Sequence, residues 1–132
     1  MIMKLFKTTL LFCFSLFTIN GFSQDSFTDA FNQNKAQLLA EFLSESVDLS
    51  VLGKENIYSK KQAIIILQEF LDKDPCLEFE IKHQSKQSKT NKSRFMICEY
   101  KGTKNVYRNH FLVQDNGEAF QIIEIRIELE DD

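Results

Sequence analysis

The stretch Ser59-Lys-Lys-Gln-Ala-Ile-Ile-Ile-Leu-Gln-Glu-Phe-Leu-Asp-Lys-Asp-Pro-Cys-Leu-Glu-Phe-Glu-Ile-Lys-His83 changes period halfway along. Ser59 and Gln62 have the spacing of a capping box, and Ala63, Ile66, Leu67, Phe70 and Leu71 recur at helical intervals behind them. Pro75 disfavours helical geometry in the residue before it, so the helix ends near Asp74. Beyond it Leu77, Phe79 and Ile81 alternate with charged residues, the two-residue period of a half-buried strand. A helix that stops at a proline and turns straight into a strand predicts an α+β domain.

Downstream, Ser93–Lys101, Val106–Gln114 and Ala119–Leu129 also read as strands. They are separated by a polar stretch, by Gly102-Thr-Lys-Asn and by Asp115-Asn-Gly117. Connections this short make hairpins, so the four strands from Cys76 onward are expected to form an antiparallel meander. Upstream, Val47, Leu49 and Val51 alternate with Asp48 and Ser50 before Gly53, which predicts a short strand. Phe27, Ala30, Phe31, Leu38, Leu39, Phe42 and Leu43 fall at helical intervals broken by Asn32-Gln-Asn-Lys35, which predicts one bent helix or two short ones. Helices first and strands later give helices covering one face of a curved sheet.

Residues 1–23 have a different character. Lys4 and Lys7 precede an apolar run from Thr9 to Ile19, and small residues follow at Gly21 and Ser23. These are the parts of a cleavable secretory signal peptide, with the cut expected between Ser23 and Gln24. The run is well short of the roughly 20 apolar residues that cross a bilayer, so no stable membrane anchor is expected. Cys13 lies inside the run, after Leu11-Phe12, and reads as part of the discarded peptide. The expected product is a single domain, 24–132, exported to the periplasm or secreted.

Cleavage removes two of the 16 cations and none of the 19 acids, leaving 14 against 19, a net charge of −5. An acidic domain with scattered bases lacks the footprint of a nucleic-acid binder. The basic stretch Lys82–Lys92 holds no apolar residue and reads as a solvated hairpin loop; its Asn91-Lys-Ser matches a glycosylation acceptor only by pattern.

Several segments together carry a resemblance: Val47-Asp-Leu-Ser-Val-Leu-Gly53, Tyr58-Ser-Lys-Lys-Gln-Ala63, the passage from Phe70 to Phe79, Ile81-Lys-His83, Tyr107-Arg108 and Ile122-Ile-Glu-Ile-Arg-Ile-Glu128. They resemble a domain-of-unknown-function family of small exported bacterial proteins with a nuclear-transport-factor-2-like (cystatin-like) fold. The resemblance covers nearly all of 24–132 and implies a cone of helices packed into a strongly curved antiparallel sheet, often with an interior pocket. It implies no activity, and Gln84 and Asn109-His110 depart from the pattern.

Enzymes of that superfold place an acid or base with a tyrosine or histidine inside the cone, which makes Asp48, Tyr58, His83, Tyr107 and His110 the analogous residues. Alternation, however, turns Asp48 toward solvent, and His83 reads as a rim residue. Two histidines without ligand spacing predict no metal site, and no nucleophile or phosphate-binding motif is present, so no cofactor is expected. The expected function is non-catalytic binding of a small apolar ligand or a protein partner, a second copy of the chain included. The binding residues would be Tyr58, His83, Tyr107 and Arg108 at the mouth of the cone. The alternative is a small lyase, isomerase or hydrolase with an acid/base group inside it. Eight phenylalanines from Phe27 to Phe120 either fill the cone or leave a greasy cavity, and a domain this small favours filling.

Cys76 and Cys98 are the cysteines that remain after cleavage. If Leu77, Phe79 and Ile81 share a face with Phe95 and Ile97, the register that sets Glu80 opposite Arg94 also sets Cys76 opposite Cys98. A disulfide there is reachable, with some strain.

Overall fold

The computed structural model describes residues 24–86, 92–115 and 120–131; the expected signal peptide lies outside them. Two helices, α1 (Gln24–Asn32) and α2 (Lys60–Lys73), cover one face of a six-stranded sheet. The strands are β1 (Leu43–Val51), β2 (Lys54–Ser59), β3 (Cys76–Gln84), β4 (Ser93–Gly102), β5 (Val106–Asp115) and β6 (Phe120–Leu129), in the order β2-β1-β6-β5-β4-β3. The α+β architecture is as expected, and β3 to β6 form the antiparallel meander.

The break at Asn32-Gln-Asn-Lys35 ends α1 and is followed by a turn of 3₁₀ helix, Ala36–Leu39. Asn34, at φ 57°, adopts the left-handed backbone that asparagine tolerates well. Its side chain accepts a hydrogen bond from the Cys76 amide at 2.7 Å and donates to the Cys76 carbonyl at 3.2 Å, while Asn32 Oδ1 accepts from the Phe79 amide. The outer edge of β3 is thereby covered by side chains, one of the ways proteins protect a free strand edge.

Helix α2 begins at the expected capping box: the Ser59 hydroxyl accepts from the Gln62 amide, and the Gln62 side chain accepts from the Ser59 amide. Ala63, Leu67, Phe70 and Leu71 are buried, and Ile66 is half-buried. Phe27 and Phe31 of α1 pack on Phe79 of β3 and Phe111 of β5. Phe31 stacks on Phe79 at 4.1 Å between ring centroids, and Phe27 meets Phe111 edge-on at 5.0 Å.

Two features depart from expectation. Strand β2 holds few apolar residues, so nothing in its pattern announces a strand; it forms by pairing along β1. Strand β1 in turn runs parallel to β6, making the sheet mixed.

The pairing of β3 with β4 also corrects the expected register. Cys76 lies opposite Gly102 and Cys98 opposite Ile81, while Glu80 faces Glu99 rather than Arg94. The two thiols are therefore not cross-strand neighbours, and both are free and buried. The cause is the phase of β4: Met96, Cys98 and Tyr100 point inward, and Phe95, taken to face the core, is 43% exposed. Burying the large ring of Tyr100 against Phe31 and Phe70 sets that phase, and a one-residue slip turns every side chain over. Two bulges in β3 complete the shift.

Candidate functional site

Between α2 and the β1–β2 hairpin lies an open groove of about 320 Å³. Its floor is apolar: Leu49 and Val51 come from β1, and Ile66 and Phe70 from α2, one turn apart on the same helix face. Leu52, in the turn joining β1 to β2, closes one side. Tyr58, Lys54, Lys73 and Glu69 supply the polar rim. Lys54 and Lys73 are exposed, and among the described residues neither makes an ion pair.

Leu52 and Gly53 form the turn with φ of 50° and 90°. Positive φ at both central residues of a two-residue hairpin suits Asn-Gly, and a leucine in the first position costs about 1–2 kcal/mol. The turn holds this leucine half-exposed beside the groove, where it adds apolar surface.

A second cluster forms around Asp74, the residue at the C-terminus of α2, which is 3% exposed. Its carboxylate accepts hydrogen bonds from the Tyr107 hydroxyl at 2.7 Å, the Lys104 amide at 2.9 Å, the Thr103 hydroxyl at 3.0 Å and the Asn105 amide at 3.1 Å. Burial acts to raise the carboxyl, and these four bonds outweigh it and hold Asp74 below the usual range. Its carbonyl accepts from the Tyr100 hydroxyl. The helix end is thus tied to the β4–β5 turn. An ionised carboxylate with its oxygens fully engaged is a clamp, and it makes a poor proton acceptor.

The four residues expected at one mouth occupy four different settings. Tyr58 lines the groove. His83 lies on β3, the opposite edge of the sheet, exposed against the ring of Phe95. Tyr107 is buried on Asp74, and Arg108 is exposed on the face away from the core, 3.7 Å from Glu130. Asp48 and His110, weighed for catalysis, pair opposite Glu124 and Arg126 respectively, in the half-buried positions of the strand face away from the core. There Asp48 raises the Glu55 carboxyl, by a shared hydrogen bond first and by its charge second. Among the described residues no cluster of His, Cys, Asp and Glu could hold a metal ion. Burial pushes the Cys76 thiol up to about 11 and that of Cys98 up to about 12, which leaves both unreactive as thiolates.

Lys54, Leu52 and Lys73 were not singled out from the sequence, and Ile66 was read only as part of the apolar stripe of the helix. The groove joins a strand that its pattern does not announce to the flank of a helix whose exposed side looks like any solvated face.

No curated protein matches the chain. Among solved structures it resembles a DUF4783 family protein from Bacteroides ovatus, with a TM-score of 0.75, 24% identity and coverage of 83% of this chain and 97% of that one. A DUF4783 family protein from Bacteroides uniformis matches with a TM-score of 0.76 and 22% identity over 84% of this chain and all of the other. The fold recurs at 15% identity and a TM-score of 0.65 in a cystatin-like domain of unknown function from Nostoc punctiforme, covering 82% of this chain and 73% of that one. A nuclear-transport-factor-2-like protein of unknown function from Silicibacter pomeroyi matches at 11% identity and a TM-score of 0.61, over 80% and 88% of the two chains. The family model described as "Domain of unknown function (DUF4783)" spans residues 24–128, and the chain, with its cystatin-like, nuclear-transport-factor-2-like fold, belongs to that family.

Proposed function

We propose that this protein is an exported, non-catalytic binding module whose groove takes a small amphiphile, an apolar chain with an anionic head. The carrying observation is the groove itself: an apolar floor of Leu49, Val51, Ile66 and Phe70 beside two cations without carboxylate partners among the described residues. Its volume of about 320 Å³ sits at the lower end of the roughly 300–1,000 Å³ typical of ligand sites. Two lysines against one glutamate make the rim locally positive in an acidic chain, which selects for an anionic head group. Binding is favoured over catalysis because the buried acid, Asp74, is consumed as an acceptor, while Asp48, His83 and His110 lie away from the groove.

Titration calorimetry with dodecanoate tests the reading. The purified protein binds, and Lys54→Glu/Lys73→Glu weakens binding about tenfold or more, equivalent to about 1.4 kcal/mol. Ile66→Glu, placing a charge on the floor, has an effect at least as large. Equal affinity in all three proteins would remove the groove as the site.

Export rests on the charged start, apolar run and small residues of 1–23, and the family match starts at Gln24. Intact mass of protein recovered from its native host should correspond to a chain starting at Gln24. Retention of Met1 would overturn this.

A further inference from the structure

Asn109 is fully buried in the middle of β5, and neither its Oδ1 nor its Nδ2 has a hydrogen-bond partner. Its neighbours on the same face of the strand, Tyr107, Phe111 and Val113, are all buried, so alternation turns the amide into the core between the helices and the sheet. Tyr107 satisfies its hydroxyl on Asp74, whereas Asn109 has nothing comparable. A leucine or valine in its place would make the same apolar contacts without stranding a donor and an acceptor, and a buried amide left unpaired is costly.

The position of Asn109 relative to the groove gives this cost a use. Strand pairing aligns Lys54, Val51, Ile127 and Asn109 in one row across β2, β1, β6 and β5. Lys54 and Val51 line the groove. Asn109 stands two strands further in than Val51, about 10 Å at roughly 4.8 Å per strand. Phe70 lines the groove, and its ring packs edge-on against Tyr107, two residues before Asn109, at 4.8 Å between centroids. Along the row, buried Ile127 stands between Val51 and the unpaired amide.

We propose that the ligand of the groove carries a second, uncharged polar group, which passes the Phe70 ring and hydrogen-bonds to Asn109. A hydroxyl matches best, because it accepts from Nδ2 and donates to Oδ1, satisfying both atoms at once. The ligand class is then an amphiphile with an anionic head at Lys54 and Lys73 and a hydroxyl some three strand spacings away, about 14 Å at roughly 4.8 Å each. This inference rests on the groove reading above and makes it more specific.

Calorimetric titration of dodecanoate and ω-hydroxydodecanoate into the wild-type protein, Asn109→Leu and Asn109→Ser tests it. The wild type prefers the hydroxylated acid about tenfold. Asn109→Leu abolishes or reverses that preference, keeps or improves binding of dodecanoate, and melts at a higher temperature than the wild type. Asn109→Ser, smaller than the native side chain, weakens the preference and preserves the comparison if leucine does not fit. Wild-type binding of dodecanoate that depends on the two lysines, with no preference for the hydroxylated acid, overturns the role of Asn109 and leaves the groove standing. An unchanged preference in both Asn109 variants does the same. Failure of both acids to bind the wild type overturns the groove reading and this inference together.

Discussion

The residue with the greatest structural consequence is Asp74, and its environment shows how a charge can be buried without acting chemically. Four donors converge on one carboxylate. A charged acceptor contributes more per bond than a neutral one, so Asp74→Asn, which also faces backbone amides with an NH₂ group, is expected to cost about 3 kcal/mol in denaturant unfolding. Because the folded-state pKa is lowered, the carboxylate's contribution is complete above the unfolded pKa and disappears as pH falls through the folded value. Stability therefore declines below about pH 4 in the wild type, and this part of the decline is absent in Asp74→Asn. Gly102 belongs to the same arrangement. A Cβ built there would stand 2.5 Å from Asp74 Oδ1, a carboxylate that its four bonds prevent from moving. Gly102→Ala is expected to cost about 2 kcal/mol by overpacking. In an Asp74→Ala background the same change should cost little, and additive losses in the double-mutant cycle would refute the coupling.

At the scale of the element, the β1–β2 hairpin is built against its own turn chemistry. Leu52 occupies a left-handed position that asparagine or glycine would fill with less strain, and it does so half-exposed at the groove. Leu52→Asn should raise unfolding stability by about 1 kcal/mol, since Asn-Gly is the preferred pair for this turn. The same substitution should weaken dodecanoate binding severalfold by removing apolar surface. A variant that is both stabilised and unimpaired in binding would show that the leucine is merely tolerated. The edge elements contrast in a related way. Strand β3 has its Cys76 and Phe79 amides engaged by Asn34 and Asn32, whereas β2 keeps an exposed polar edge with Ile57 68% exposed beside it. Part of the outer face of β3 and β4 is crossed by ion pairs, with Lys101 at 3.1 Å from Glu78 and 3.7 Å from Glu99. These exposed pairs contribute little to stability, and they keep that part of the sheet polar.

Over the whole molecule, local order was legible wherever one residue's neighbours in sequence are also its neighbours in space. The capping box at Ser59, the apolar stripe of α2, the stop at Pro75 and the meander from β3 to β6 all follow from short-range chemistry: periodicity, caps and tight connections. They suffice to determine an α+β domain with helices laid on one sheet face, and the breaker Asn32-Gln-Asn-Lys35 marks where the first helix ends. The phase of β4, the existence of β2 and the site were decided only by tertiary structure. Met96, Cys98 and Tyr100 alternate as regularly as Phe95, Ile97 and Glu99 do, and only the burial of the Tyr100 ring beneath α2 selects between the two phases; the Cys76–Cys98 pairing was lost with that choice. Strand β2 has too few apolar residues to announce itself and exists because β1 offers it a row of hydrogen-bonding partners. Tyr58 on β2 and His83 on β3 are separated in sequence by α2 alone, yet the parallel pairing of β1 with β6 sends them to opposite edges of the sheet. Asn109 shows in the sequence only as part of a departure from the family pattern, and an asparagine in a strand reads as an outward-facing polar position. Which face it takes depends on strands distant in the chain, because burial is a property of the assembled surfaces and side-chain identity sets only its cost.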